Sequence, residues 1–193
     1  MVVLNRIYTR SGDKGTTRLA SGEPRLKCDL RVEAYGSVDE TNACIGLARL
    51  HTGADQALDA MLARIQNDLF DLGADLATSE KRRGEPRGAA LRILATQVSR
   101  LENEIDALNG RLAPLTSFVL PGGTAAAAAL HLARTVCRRA ERAMVALAQK
   151  EGEVVGAEAI KFINRLSDFL FVAARFTNED GRNDVLWVPG QNR

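Results

Sequence analysis

Residues 58–76 read LDAMLARIQNDLFDLGADL, and Leu58, Leu62, Ile65, Leu69, Leu72 and Leu76 fall at steps of 4, 3, 4, 3 and 4. That spacing lays one apolar stripe along an α-helix and lacks the alternation of a half-buried strand. Toward the C-terminus, Leu91, Leu94, Val98, Leu101, Ile105 and Leu108 repeat the pattern at steps of 3, 4, 3, 4 and 3, and Asn109-Gly110 closes it. Thr124 is placed to cap a long helix running to about Lys150, which opens on the alanine run 125–129. A last helix is expected from Ala157 to Thr177, with Phe162, Phe169, Ala173 and Phe176 among its apolar positions. Toward the N-terminus, Ser37-Val38-Asp39-Glu40 has the S-x-x-E form of a capping box. It predicts a first helix from Ser37 to about His51, with Gly53 as its terminal glycine. Stripes of this width suit packing against several neighbours. The expected fold is all-α: an up-down bundle of five helices behind a non-helical N-terminal arm. Its parts are the arm at 1–36, the bundle at 37–177 and a tail at 178–193, with 79–88 (SEKRRGEPRG) as an exposed loop.

The composition agrees. A chain of 193 residues is closer to one domain than two and can bury a sizeable core without a disulfide or metal. Hydrophobic residues are 46% and charged residues 26%, so a disordered chain is excluded. The net charge of +2 is too small for wholesale binding of nucleic acid or anionic membrane, so an anionic partner needs a local cluster. No apolar run approaches the length of a membrane span. Met1 to Arg6 lack the basic and apolar regions of a secretory signal. Cys28, Cys44 and Cys137 are odd in number and without CxxC spacing, which argues for reduced thiols in a cytoplasm. With His51 and His131 the only histidines, and no E-x-x-H, no protein-held metal site is expected.

Three stretches carry chemistry. Residues 8–18 (YTRSGDKGTTR) pack two glycines, three threonines, a serine and three cations into eleven positions. Glycines let backbone N–H groups approach an anion, hydroxyls add donors, and Lys or Arg supply charge. That is the composition of a polyphosphate cradle, though not a Walker A loop; a tight hairpin with a solvated charged tip fits it equally well. On the long helix, Arg134, Arg138 and Arg142 stand at i, i+4 and i+8, so their guanidiniums line one face about 6 Å apart along the axis. Such a ladder repels itself unless carboxylates or a ligand anion intervene, and Glu141 and Asp39 are candidate partners. A solvated basic face is the ordinary outcome, but the alanines and valine around this helix favour an anion site at a packed interface. Asn164 interrupts the apolar face between Ile160 and Phe171, and a buried amide there needs a hydrogen-bond partner on a helix or a ligand. Phe118, on a loop bounded by Pro and Gly, reads on its own as a core plug.

Together the blocks YTRSGDKGTT (8–17), RVEAYGSVDE (31–40), SFVLPGG (117–123), RTVCRRAER (134–142) and KFINRLSD (161–168) span nearly the whole chain. In order and spacing the sequence closely resembles the propanediol-utilisation type of ATP:cob(I)alamin adenosyltransferase. The resemblance implies a five-helix bundle forming a homotrimer, with active sites between subunits. It implies transfer of the 5′-deoxyadenosyl group of ATP to the cobalt of cob(I)alamin, giving adenosylcobalamin and triphosphate, with Mg²⁺ accompanying ATP. A cob(II)alamin reductase and an adenosylcobalamin-dependent enzyme would be its partners.

Carried onto this chain, the resemblance assigns the ATP phosphates and ribose to Thr9, Arg10, Ser11, Gly12, Thr17, Arg18 and Lys27. Ser11 departs from the threonine of many relatives but keeps the hydroxyl. Arg138, Arg139, Ala140, Glu141, Arg142 and Asn164 would bind nucleotide from the bundle, Arg138 as the foremost catalytic residue. Asp39 would form an intersubunit salt bridge with Arg134, and Phe118 would lie beneath the corrin ring and displace its lower axial ligand. A nucleophilic cobalt needs no general base, which suits a chain poor in histidine. Two other classes compete: a non-catalytic ATP- or corrinoid-binding carrier or sensor of the same fold, and an RNA or anionic-partner binder using 134–142 and the basic loop at Lys81 to Arg83.

Overall fold

The computed structural model describes residues 7–79 and 90–193. Its elements are a hairpin of β1 (Thr16–Arg18) and β2 (Pro24–Leu26), then helices α1 (Leu30–Arg49), α2 (Gln56–Leu76), α3 (Ala95–Asn109), α4 (Ala125–Gln149) and α5 (Ala157–Phe176). The strands pair antiparallel, Thr17 opposite Arg25. No helix among the described residues is long and apolar enough to cross a membrane. The segments 1–6 and 80–89, with Lys81 to Arg83, lie outside the described residues, while Ser79 at the start of the expected loop is buried.

Each helix reverses the direction of the one before. The start of α1 meets the end of α2 through Arg31 and the Leu76 carbonyl, and the α4–α5 turn through Glu153. Asp75 near the end of α2 meets Arg92 just before α3. α4 packs between α1 and α5, α2 flanks α1, and α3 flanks α5. The side chains of Leu62, Ile65, Leu69, Leu72, Leu101, Leu130, Phe162 and Phe169 are fully buried. Most of the α2 stripe therefore lies in the core, as its period requires. Polar side chains also join α2 to α3: Arg64 with Glu104 at 2.7 Å, Gln97 with Asp68 at 2.9 Å, and Arg100 with Asp68.

Three helix boundaries differ from expectation. α1 begins at Leu30, not Ser37, because Asp29 supplies the N-cap, its carboxylate accepting Arg31 N–H at 2.8 Å. Ser37 is 2% exposed in mid-helix, so its S-x-x-E pattern caps nothing and the arm ends seven residues earlier. α1 stops at Arg49 with Leu50 as a right-handed cap, and Gly53 does not take the left-handed conformation. α3 starts at Ala95, leaving Leu91 and Leu94 exposed. Asp75 holds the segment before it extended, accepting from Ile93 N–H at 3.0 Å and Arg92 at 2.6 Å. The other boundaries agree within a residue or two, and the Thr124 hydroxyl accepts Ala127 N–H at 3.1 Å.

One end of the bundle is tied by a buried ion pair. Arg31 and Glu153 have side chains 1% and 3% exposed and meet at 2.7 Å. Arg31 also donates to the carbonyls of Leu76 and Val154, and Arg25 of β2 reaches the second Glu153 oxygen at 2.8 Å. Burial opposes ionisation of Glu153, but the hydrogen bonds from Arg31 and Arg25 outweigh it and hold the carboxyl below its ordinary value of 4.5. A depressed carboxylate adds stability above its unfolded pKa and loses it as pH falls through the folded one. Glu153→Gln is therefore expected to cost about 3 kcal/mol near neutral pH, a fall in Tm of roughly 6–12 °C. In thermal melts against pH, the gap to the parent protein should close below about pH 4.5.

Candidate functional site

The arm is a folded hairpin, and it still presents the polar groups expected of it. The Thr9 and Ser11 hydroxyls share a hydrogen bond at 2.8 Å, and the Arg10 guanidinium lies 5.6 Å from the centre of the Tyr8 ring. Gly15 N–H donates to the Gly12 carbonyl at 3.1 Å, and Lys27 N–H donates to the Gly15 carbonyl at 2.9 Å. A Cβ on Gly12 would stand 3.1 Å from Lys27 Nζ and 3.3 Å from the Thr16 carbonyl oxygen. Glycine therefore lets the Lys27 ammonium lie along the loop. Arg18 is turned into the hairpin, donating to the Gly22 carbonyl at 2.9 Å. Thr9, Arg10, Ser11 and Lys27 are exposed, while Gly12 and Thr17 are partly covered.

The arginine ladder occupies the middle of α4. Arg138 reaches the Ser167 hydroxyl at 3.4 Å, and Arg142 donates to the Arg138 carbonyl at 3.1 Å. Arg139 pairs with Glu40 of α1. Arg134 is half-buried, and its Nε has no hydrogen-bond partner among the described residues. Burial first, and the Arg138 charge second, lower its pKa from the ordinary value. Asp39 is exposed and makes no ion pair within the described residues, so neither it nor Glu141 relieves the ladder inside one chain.

One expectation is corrected here. Asn164 is exposed rather than buried, and its amide donates to the Glu141 carboxylate at 2.8 Å. Ala140 is fully buried, so its side chain faces the core. Cys137, one turn away, is likewise interior: burial pushes its thiol well up, and it donates to the Ile163 carbonyl at 3.3 Å.

Phe118 is no core plug. Its side chain is 77% exposed at the other end of the bundle, tilted against Trp187 with ring centres 6.1 Å apart. The tail backbone runs beside the loop, with a bridge between Val119 and Leu186, and Trp187 N–H donates to the Phe118 carbonyl at 2.7 Å. Ser167 beneath Arg138 and Trp187 beside Phe118 were not among the expected site residues. A lone tryptophan in a short polar tail was the available signal for the second.

The hairpin is anchored at the Glu153 end of α4, and Phe118 lies at its Thr124 end. Arg138 sits thirteen residues into α4, about 20 Å from its start and about 17 Å from its end at 1.5 Å per residue. A single chain thus holds the arm and Phe118 apart, with the ladder exposed between them.

Residues 7–177 match the sequence profile of the family described as cobalamin adenosyltransferase. The chain belongs to that family. The corrinoid adenosyltransferase of Mycobacterium leprae is 48% identical over 188 residues, covering 97% of both proteins. The cobalamin adenosyltransferase of Cupriavidus metallidurans is 43% identical over 95% of each. Among solved structures, a variant PduO-type ATP:corrinoid adenosyltransferase from Lactobacillus reuteri, complexed with cobalamin and ATP, superposes with a TM-score of 0.87 at 38% identity. That match covers 95% of this chain and 97% of the other. The cobalamin adenosyltransferase fold thus accounts for the five helices and the hairpin together.

On the expectation that Lys27 binds triphosphate, Gly12→Val should weaken ATP binding about tenfold, the cost of one charge-assisted hydrogen bond. Isothermal titration with Mg-ATP checks it, and an unchanged Kd removes Lys27 from the nucleotide site.

Proposed function

We propose that the chain transfers the 5′-deoxyadenosyl group of ATP to the cobalt of cob(I)alamin, forming adenosylcobalamin and releasing triphosphate, at sites assembled between the subunits of a homotrimer. The observation that carries the reading is the separation just described, read with the family. The arm, the ladder and Phe118 suit the two substrates, yet one chain spreads them along the full length of α4. Half-buried Arg134 and exposed Asp39, neither in an ion pair among the described residues, support an intersubunit salt bridge between them.

In this reading Thr9, Arg10, Ser11, Gly12, Thr17 and Lys27 cradle triphosphate and ribose, while Arg138, Arg139, Arg142, Glu141 and Asn164 hold the nucleotide from α4 and α5. The Arg18 side chain, held by Gly22, steadies the hairpin. Magnesium travels on the triphosphate, whose hard oxygens are its natural ligands. The cobalt electron pair forms the bond to C5′ as the C5′–O bond breaks, and the departing oxygen keeps its pair. Negative charge therefore grows on triphosphate, where preorganised cations stabilise it without a proton transfer. Phe118 offers an exposed ring face to the corrin, where it denies the lower axial position to ligand or water. Four-coordinate cob(II)alamin is then easier to reduce, so a reductase supplies the electron and an adenosylcobalamin-dependent enzyme takes the product.

The test is anaerobic mixing of the protein with Mg-ATP and chemically reduced cob(I)alamin, following the visible spectrum and triphosphate. Adenosylcobalamin with equimolar triphosphate, faster than without protein, supports the reading; saturable binding without conversion replaces it with the carrier or sensor. Arg138→Ala is expected to lower kcat/KM at least ~100-fold, about 3 kcal/mol for one charge-stabilising donor, and near-parental kinetics would remove that role. Phe118→Ala should keep ATP affinity and lose the four-coordinate cob(II)alamin spectrum, with slower adenosylation under reducing conditions. Retention of that spectrum contradicts it.

A further inference from the structure

The end of the bundle that carries Phe118 is closed by a buried polar cluster that none of the roles above uses. Arg175, near the end of α5, is 6% exposed. Its Nε donates to Asp184 Oδ2 at 2.8 Å, and its Nη2 donates to the Ala113 carbonyl at 3.0 Å. The Asp184 side chain, 3% exposed, accepts on its other oxygen from Asn178 Nδ2 at 3.0 Å. Asn178 is 2% exposed, and its Oδ1 accepts Thr124 N–H at 3.1 Å. Three segments are thereby joined: the loop that leads to Phe118, the start of α4, and the C-terminal tail. The backbone closes tightly onto the cluster, for Gly123 has φ +98 and a Cβ there would stand 2.3 Å from Asn178 Oδ1.

Beyond Asp184 the tail has little apolar burial to hold it. Val185, Trp187 and Val188 are 57%, 44% and 54% exposed. What remains is hydrogen bonding to the loop: Leu120 N–H to the Val185 carbonyl at 2.8 Å, Trp187 N–H to the Phe118 carbonyl at 2.7 Å, and the Ser117 hydroxyl to the Trp187 carbonyl at 2.7 Å. A ribbon this exposed opens readily unless its root is fixed. The root is Asp184, and a carboxylate buried beside Arg175 and Asn178 cannot leave them without stranding a buried guanidinium.

We propose that Arg175, Asp184 and Asn178 are positioning residues of the corrinoid site. They fix the tail so that Trp187 braces the Phe118 ring in the orientation it presents to the corrin. The inference rests on the reading that Phe118 faces the corrinoid. It predicts an effect that falls mainly on the corrinoid, because the braced ring meets the corrin and none of the three residues is assigned to the nucleotide.

The chain holds a single tryptophan, Trp187, so intrinsic fluorescence reads the tail directly. In the intact protein, Asp184→Asn is expected to raise acrylamide quenching of Trp187 about twofold or more as the tail opens. It should lower kcat/KM for corrinoid about tenfold while the KM for ATP stays within about twofold, since sub-ångström misplacement of a reacting group costs rate without touching remote binding. Should that variant not fold, Asn178→Ala carries the same test, because it leaves the Arg175–Asp184 pair intact. Unchanged quenching overturns the proposal, as does an equal loss toward ATP and corrinoid, which would mark the cluster as merely structural. Phe118→Ala, measured alongside, separates the two levels. If it leaves corrinoid kinetics untouched, the reading of Phe118 fails and the proposal falls with it. If it impairs them while Asp184→Asn does not, only the positioning role is overturned.

Discussion

Arg31 and Glu153 are taken out of water together where the hairpin, the start of α1, the end of α2 and the α4–α5 turn converge. Two charges in that position are costly to desolvate, and the cost is recovered only because nearly every polar atom finds a partner. Arg31 spends its donors on Glu153, Leu76 and Val154, and the second Glu153 oxygen is taken by Arg25. That last contact matters most for function. It ties an exposed, glycine-rich hairpin to the rigid end of the bundle, and a segment held on a fixed base would lose less entropy on meeting a ligand.

The opposite end solves a similar problem with the same chemistry. There Arg175, Asp184 and Asn178 root a tail that buries few apolar side chains, and the reward is an exposed aromatic pair, Phe118 against Trp187. Between the two ends runs α4, whose arginines crowd one face without carboxylates enough to neutralise them. Like charges held on a rigid helix are a standing cost to the free protein and a gain once a polyphosphate arrives. The bundle is thus a spacer with a polar clamp at each end and a cationic face between.

Much of this was legible in the sequence, for reasons particular residues make plain. The stripe from Leu58 to Leu76 could pack only as a helix, and Thr124 before an alanine run could hardly avoid capping one. The ladder at 134, 138 and 142 was visible from spacing alone. Misreadings fell where two local patterns competed. Ser37 to Glu40 looks like a helix start, yet Asp29 caps the same helix earlier, because an apolar face beginning at Ala34 was worth burying. Asn164 looked interior from its apolar neighbours, but helical phase turns it outward toward Glu141.

The sequence by itself determined the number of helices, their polarity pattern and where glycines, hydroxyls and cations cluster, since these depend on contacts within a few residues. Only the tertiary structure decided which charges are buried together and which are left bare. Arg31 finds Glu153 from 122 positions away, and Trp187 reaches Ser117 beside Phe118 across 70. Pairings of that span follow from how the helices pack, and no local spacing encodes them.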